Sequence, residues 1–258
     1  MGHPGDGMAA AHLARGWQRC GRIVWGVAPS HRAFVLRQTR LRPVPGLEAI
    51  RLHLADEVLP LWRSLQIETS DPETALPYWA FAWAGGLAIG QHLRAHPEVV
   101  AGRRVFDLAS GSGLCGIAAM QAGAAAVTAS DIDPFAAAAI ESNARANGSR
   151  VTVVRRDVLD DDPPDVEVIL AGDCWYEAQL AERVLPWLQE ASVRGIDVLV
   201  GDPGRRYLPT GALTELARYD VQTTTELEDL GQKEARVFAM AAVGTPNTPI
   251  GVSPNQPR

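Results

Sequence analysis

The chain has 258 residues, 47% hydrophobic and 21% charged, enough for one α/β domain with a true core plus extra segments and marginal for two domains. Its net charge of −6 disfavours DNA or RNA as the main partner, because nucleic-acid binders carry a basic balance. No apolar run approaches the ~20 residues needed to cross a bilayer, and three scattered cysteines (Cys20, Cys115 and Cys174) form neither a disulfide framework nor a zinc site, which suits a reducing, cytoplasmic compartment.

Residues 1–28 are rich in Gly, Ala and Arg with almost no acid, and read as a flexible tail. Residues 29–76 read as an N-terminal extension packed on the core. Within them EAIRLHLADEVLPLWRSLQ (48–66) gives a mixed signal broken at Pro60. PYWAFAWAGG (77–86) then leads into LAIGQHLRAHPEVV, a helix that stops before Pro97. From residue 103 the pattern is regular. RRVFDLA is a short buried strand, Gly113 to Gln121 a helix ended by Gly123, and AVTASD (126–131) a strand. The helix at 134–147 has Pro134 in its first turn and Gly148 after its end, the asymmetry helices prefer. VTVVRRD (151–157) is a strand, DDDPPD a solvated loop, VEVILAGD (166–173) a strand, Glu177 to Ala191 a helix and IDVLVGD (196–202) a strand. A helix is expected over Thr210 to Ala217. VQTTTELE (221–228) and ARVFAMAAV (235–243) close the fold as strands, and residues 244–258 read as a disordered tail.

Strands alternating with helices predict an α/β fold: a doubly wound, mostly parallel, Rossmann-like sheet of seven strands with helices on both faces. The last two strands have no helix between them, which predicts an antiparallel edge hairpin. The domain itself is expected over residues 77–243.

The loop after the first of these strands contains Gly111-Ser112-Gly113-Leu114-Cys115-Gly116, a formal G-x-G-x-x-G. Such a loop in a dinucleotide fold leaves a helix N-terminus for phosphate. Here Asp107 stands four residues ahead of the first glycine. Asp131, Asp157, Asp173 and Asp202 follow the next four strands, so five carboxylates gather at the rim where ligands of such sheets bind. A pyrophosphate is repelled there. A cofactor bearing a sulfonium, an amino group, a ribose diol and an adenine suits that rim, and S-adenosylmethionine is such a molecule.

DLASGSG, SDIDPFAAAAIESNARANG, GDCWYE and VGDPGRRYL, with PYWAFAWAGG before them, resemble the class I seven-strand methyltransferases. Within these they are similar to the lysine methyltransferases that modify the β-subunit of electron transfer flavoprotein. Asp173-Cys174-Trp175-Tyr176 matches the Asp-x-x-Tyr motif of that group. The resemblance, over about residues 76 to 240, implies transfer of a methyl group from S-adenosylmethionine to lysine side chains of a partner protein, the electron transfer flavoprotein β-subunit. A monomer that binds no metal, nucleic acid or membrane is expected. Gly111, Ser112 and Gly113 are expected to lie against the methionine end of the cofactor. Asp107 is expected to accept from its amino group, Asp131 from the ribose diol, Asp157 and Val158 to flank the adenine, and Trp83 to pack nearby. Gly116 is expected to be a small helix residue, Asp133 a helix cap, and Trp79 either a substrate-side aromatic or core.

Asp173 and Tyr176 are expected at the reacting centre. A lysine amine with an unperturbed pKa near 10.4 must lose a proton before it can attack. A carboxylate can orient the ammonium, and an aromatic wall can contact it through a cation–π interaction. The competing reading makes Asp173 the cap of the helix at Glu177. Arg205 either pairs locally or meets the partner. Three other readings remain open on the sequence: an acceptor that is a small amine or another protein, a non-catalytic cofactor-binding module, and a nicotinamide oxidoreductase that rests on the glycine motif alone.

Overall fold

The computed structural model describes residues 29–223 and 231–241. The expected tails and residues 224–228 of the expected strand lie outside them. Helix α1 (Pro29–Gln38) leads into an antiparallel hairpin, β1 (Arg40–Val44) and β2 (Leu47–Leu54). Gly46 makes the turn at φ +75°, a left-handed conformation open to glycine at little cost. Helix α2 (Val58–Thr69) follows. Pro60 is its third residue, where the missing N–H has no intrahelical acceptor to lose. It marks the start of a helix, which corrects the expected break.

A single turn at Tyr78–Ala80 precedes α3 (Ala84–Ala95), which ends before Pro97 as expected. Then come β3 (Arg104–Leu108), α4 (Leu114–Gln121), β4 (Ala126–Asp131), α5 (Pro134–Ala146), β5 (Val151–Arg155), β6 (Val168–Gly172), α6 (Ala178–Val193), β7 (Asp197–Asp202), β8 (Leu213–Thr223) and β9 (Gly231–Met240). The seven strands lie in the order β5-β4-β3-β6-β7-β9-β8. Those from β3 to β7 are parallel, and β9 runs antiparallel to both β7 and β8. This is the predicted doubly wound sheet with its edge hairpin.

The helix expected over Thr210–Ala217 does not form. After a short turn at Thr210–Ala212 the chain enters β8 and pairs along β9. From Ala217 onward alternate residues, Ala217, Tyr219, Val221 and Thr223, are the less exposed ones. The ladder to β9 outweighs the helical preference of Leu, Glu, Ala and Arg. A register shift between Glu215 and Ala217 leaves Leu216 outside the alternation and 48% exposed.

Apolar side chains cover both faces of the sheet. On one, Leu87, Ile89 and Leu93 of α3 and Ile117 of α4 pack with Val105, Val127, Leu170 and Leu199, beneath Leu47, Ile50 and Leu52 of the hairpin. On the other, Val184, Trp187 and Leu188 of α6 pack on Phe106, Ile169, Val198 and Val200. Phe34, Leu61, Leu65, Trp79 and Phe81 pack against Phe135 of α5 in a third cluster. The hairpin is bonded to α5 as well: the backbone N–H of Arg51 and of His53 donate to Asn147 Oδ1 (2.9 Å) and Asn143 Oδ1 (2.7 Å). Among the described residues no helix is long and apolar enough to cross a membrane.

Candidate functional site

Strand order reverses on either side of β3, because β4 and β5 lie to one side and β6 and β7 to the other. Ligands of such sheets bind beyond the carboxyl ends of the strands at this reversal. Two loops meet there, one after β3 and one after β6. Each contains a non-glycine residue in the left-handed region, Ala109 at φ +49° and Asp173 at φ +60°. Such backbones cost on the order of 1 kcal/mol or more each and persist only where the surroundings enforce them.

Carboxylates organise the first loop. Asp107 is 1% exposed; its Oδ2 accepts from Ser110 Oγ (2.5 Å) and from the backbone N–H of Gly116 (2.9 Å). Burial pushes its carboxyl up to about 7, against the opposing pull of those two bonds. Asp131 accepts from the N–H of Gly111 through Oδ2 (2.9 Å) and of Asp133 through Oδ1 (3.0 Å), and burial raises it to about 6. Gly111 (φ +54°) and Gly113 (φ +84°) make the turn. A Cβ on Gly113 would press on Ile140 at 3.3 Å, whereas one on Gly111 would have Trp79 Cα at 3.9 Å as its nearest neighbour. Ser112 is buried, and its carbonyl accepts from Asn143 Nδ2 (2.8 Å).

These bonds bear on the two readings of the glycine motif. A pyrophosphate needs free N–H groups at the loop and at the helix N-terminus. Here those of Gly111 and Gly116 are already held by carboxylates. Each oxygen of Asp131 keeps a lone-pair site, and that acceptor-rich donor set suits hydroxyl and amino groups. The residues therefore fit an adenosyl cofactor, and the loop offers a pyrophosphate fewer N–H groups than its glycines suggest. Gly116 proves to be a packing residue: a Cβ there would meet Val127 Cγ1 at 3.1 Å and Asp107 Oδ2 at 3.2 Å. Asp133 caps α5 by accepting from Phe135 N (2.7 Å), as expected.

The second loop is fastened to α3. Asp173 Oδ1 accepts from Gly85 N (2.9 Å) and Oδ2 from Gly86 N (2.7 Å), in the first turn of that helix. So Asp173 does cap a helix, but α3 and not α6, whose cap residue Glu177 makes no side-chain capping bond. Backbone packs on backbone beside it. A Cβ on Gly85 would fall 2.1 Å from Gly201 O, and one on Gly201 2.2 Å from Gly85 O. Arg205 pairs locally: its Nη1 donates to Asp173 Oδ1 (2.5 Å) and to Asp202 Oδ2 (3.1 Å). Asp202 is fully buried, and its Oδ1 takes the N–H groups of Gly204 (2.7 Å) and Arg205 (2.6 Å).

Aromatic rings cluster beside the second loop. Tyr176 is 41% exposed and its ring centroid is 5.1 Å from that of Tyr78, which in turn lies 5.6 Å from that of Trp83. Trp83 Nε1 donates to Tyr78 O (2.7 Å). Burial first, and then the Glu177 carboxylate, push the hydroxyls of both tyrosines above their usual range, so both are neutral at physiological pH. Trp79 is core: it is 1% exposed, stacks near Phe135, and its buried Nε1 has no hydrogen-bond partner. Asp157 lies farther along the rim, exposed, with its carboxylate on Arg183 Nη1 (2.8 Å) and Leu159 N (3.0 Å); Val158 beside it is buried. The acidic run is not open charge, because Asp160, Asp161 and Asp162 pair with Arg183, Arg156 and Arg194. Cys115 and Cys174 are buried free thiols.

Comparison with known proteins places this geometry. The ribosomal protein L11 methyltransferase family model matches residues 92–172. A Pyrococcus horikoshii crystal structure, provisionally described as an RNA methyltransferase, shares the fold with a TM-score of 0.50 at 14% identity, over 70% of this chain and 98% of that one. The electron transfer flavoprotein beta subunit lysine methyltransferase of Xenopus laevis is 34% identical over 81% of this chain and 86% of its own length. The Homo sapiens protein of the same name is 30% identical over 85% and 87%. The chain belongs to the electron transfer flavoprotein beta subunit lysine methyltransferase family. The Danio rerio member, 36% identical, matches over 63% of this methyltransferase and 65% of its own length.

The fastening of α3 escaped the sequence reading. Its signals were glycines within the quoted motifs, Gly85 and Gly86 in WAGG and the strand-end Gly172 and Gly201. Glycine pairs that allow backbones to touch become visible only when the elements are placed together. Tyr78 was likewise missed, because a tyrosine in an aromatic run reads as core until its ring is found facing Tyr176.

Proposed function

We propose that this methyltransferase transfers methyl groups from S-adenosylmethionine to lysine side chains of electron transfer flavoprotein β-subunit, as a cytoplasmic monomer whose catalytic domain spans residues 77–243 beneath the 29–76 extension. The observation that carries the reading is the carboxylate-bound glycine loop at the strand-order reversal, with the Tyr78, Tyr176 and Trp83 rings at the neighbouring strand end: the loop suits an adenosyl cofactor and the rings a long cationic side chain. The target is taken from the names of the relatives.

S-adenosylmethionine, when bound, supplies an electrophilic methyl group on a sulfonium. Asp131 would accept from its ribose diol, and Gly111, Ser112 and Gly113 would lie against its methionine end. Asp107 would act mainly by holding that loop closed and would add negative charge near the amino group. Asp157 and Val158 would border the adenine, and Trp83 would wall the cofactor off from the acceptor. On the acceptor side, Tyr176 and Tyr78 offer ring faces to an ammonium, worth roughly 0.5–2 kcal/mol. Asp173 is a fixed anion with one lone-pair site left on Oδ2, able to orient the nitrogen. The acceptor must lose its proton, which solvent at the open rim can take. Positioning then supplies most of the rate.

The test is incubation with labelled S-adenosylmethionine and purified electron transfer flavoprotein, followed by mass spectrometry. The label should appear on lysines of the β-subunit. Tyr176→Ala should lower the transfer rate about tenfold while leaving S-adenosylhomocysteine affinity within about twofold, for loss of one ring face near 1.4 kcal/mol. Label on a small metabolite alone would defeat the protein-substrate reading.

A further inference from the structure

Charge is spread unevenly over this chain, and two segments far apart in sequence carry an excess of base. Residues 29–55 and 134–156 together hold nine arginines and two glutamates, in a chain whose net charge is −6. The fold sets these segments side by side. Helix α1 packs on α5 through Phe34 and Phe135, whose ring centroids are 5.2 Å apart. Arg51 of β2 and Asn147, just after α5, bond in both directions: the Arg51 N–H donates to Oδ1 (2.9 Å) and its carbonyl accepts from Nδ2 (2.6 Å). From there the chain turns into β5, the edge strand of the sheet.

On the face so formed, Arg32, Arg51, Arg145, Arg150 and Arg155 are exposed, and none of them is in an ion pair among the described residues. Arginines elsewhere meet acid, as Arg103, Arg104, Arg183 and Arg194 do. The carboxylates around the face are engaged or withdrawn. Glu48 accepts from Gly46 N (2.9 Å), Glu68 holds Arg37 (3.1 Å), Asp56 holds Arg42, and Glu141 is half-buried. Two histidines lie between the arginines. Burial first, and then Arg155, lower His31 against a weaker pull from Glu68; burial first, and then Arg32, lower His53. Like charges gathered this way repel one another and do nothing for the fold.

The face begins at the cofactor rim. Arg155 ends β5 beside Asp131 of β4, whose carboxylate holds the glycine loop. Tyr176 follows β6, three strands along in the order β5-β4-β3-β6, which is about 14 Å at the usual strand spacing. A standard protein contact covers about 800 Å² on each side, a patch roughly 30 Å across. A protein that places a lysine at the Tyr78 and Tyr176 rings therefore reaches these arginines as well. We propose that the arginine face docks an acidic surface of the methyl-accepting protein and holds it in register across the rim. The proposal rests on the lysine-acceptor reading above and adds the chemistry of the partner: carboxylates within about 30 Å of the target lysine. A nucleic acid is the other polyanion such a face could hold, but it would run onto the acidic remainder of the chain.

The experiment measures kcat/KM for methylation of purified electron transfer flavoprotein from about 25 to about 500 mM sodium chloride, over which the screening length shrinks from about 20 Å to about 4 Å. It compares the wild-type chain with the triple variants Arg32→Glu/Arg145→Glu/Arg150→Glu and Arg32→Lys/Arg145→Lys/Arg150→Lys. The three positions are exposed and stand away from the glycine loop and the tyrosines. Wild-type kcat/KM should fall about tenfold as salt rises, and the glutamate variant should start about tenfold lower and stay nearly flat, so that the two converge. The lysine variant keeps the charges and should stay within about twofold of wild type at every salt. In the glutamate variant kcat at saturating substrate, S-adenosylhomocysteine affinity and melting temperature should be unchanged. If that variant does not fold, Arg32→Ala/Arg145→Ala/Arg150→Ala takes its place, with an expected loss of about threefold and a flatter salt dependence.

A glutamate variant equal to wild type at low salt would show the face to be solvated surface only and would overturn the proposal. So would a loss of the same size at every salt. Unchanged transfer together with binding of a labelled RNA oligonucleotide that the glutamate variant loses would put a nucleic acid in the partner's place and overturn it too. A wild-type chain that methylates no lysine of electron transfer flavoprotein would overturn both this proposal and the target reading. That failure is recognised without any variant, whereas the variants bear on the docking face alone.

Discussion

Alanine at Gly85 would test whether α3 is held by contact between backbones. The added Cβ would lie 2.1 Å from Gly201 O, 2.6 Å from Gly201 C and 2.8 Å from Asp173 Oδ2. An ordinary C···O contact is about 3.3 Å or longer. The first turn of α3 would therefore have to withdraw from β7 by about 1 Å. Overpacking of this kind costs roughly 1–3 kcal/mol. The same movement would stretch the bonds from Gly85 N (2.9 Å) and Gly86 N (2.7 Å) to Asp173 beyond hydrogen-bond range and leave a poorly solvated carboxylate short of donors. That adds about 1–3 kcal/mol. The total, about 2–6 kcal/mol, is a large share of the stability of a single domain. At about 2–4 °C per kcal/mol for a chain of this size, the melting temperature should drop by roughly 10 °C. Gly211→Ala is the control, because a Cβ there meets nothing within 4 Å. Thermal unfolding followed by circular dichroism gives both values. A Gly85→Ala chain melting within 2 °C of wild type would refute the close packing. Gly201→Ala should behave like Gly85→Ala, and the double variant should fall short of the sum, since both substitutions break the same contact.

Asp107 makes stability depend on pH. Its folded carboxyl is raised by burial to about 7 from 3.8, so the native state binds the proton more tightly than the unfolded chain. Its contribution is therefore most favourable at acid pH, is lost as pH climbs from about 4 to 7, and is constant above, a swing of about 4 kcal/mol. Urea unfolding at pH 5 and pH 8 should show that Asp107→Asn, which keeps an acceptor oxygen, removes most of this swing; an unchanged pH dependence would contradict the burial. Asp131, raised by burial to about 6, must be ionised to accept from two hydroxyls. Calorimetry should find S-adenosylhomocysteine affinity falling as pH drops through about 6, and Asp131→Asn should weaken binding about tenfold and abolish that inflection.

The alternating strands and helices were legible because β3, β4, β6 and β7 are short runs buried on both faces, each set off by loop residues, whereas β5 at the sheet edge has no fully buried residue. The five rim aspartates were legible as a set, because every parallel strand ends on the same side. What each one bonds was not. Asp107 and Asp131 hold a loop, Asp173 holds a helix that starts 89 residues earlier in the chain with Ala84, and Asp157 meets Arg183 across the loop. Those partners are distant in sequence, and spacing does not encode them. Strand β8 was misread for a related reason. Much of it is exposed at the sheet edge, so its composition reflects solvent, and only its pairing with β9 defines it.

Asn143 carries a consequence for how this chain can diverge. Its buried amide bonds Ser112 O on one side and His53 N on the other, so the hairpin reaches the glycine loop through a single joint. The hairpin's contribution there is a main-chain N–H, as it is at Arg51, and any residue except proline can provide one. Selection acting on the loop therefore constrains the path of residues 51–53 while these bonds ask nothing of the side chains of Arg51 and His53; Leu52 between them is fixed by the core instead. A segment can be indispensable to a binding site and still carry no motif, and variation in its letters would then say little about its importance.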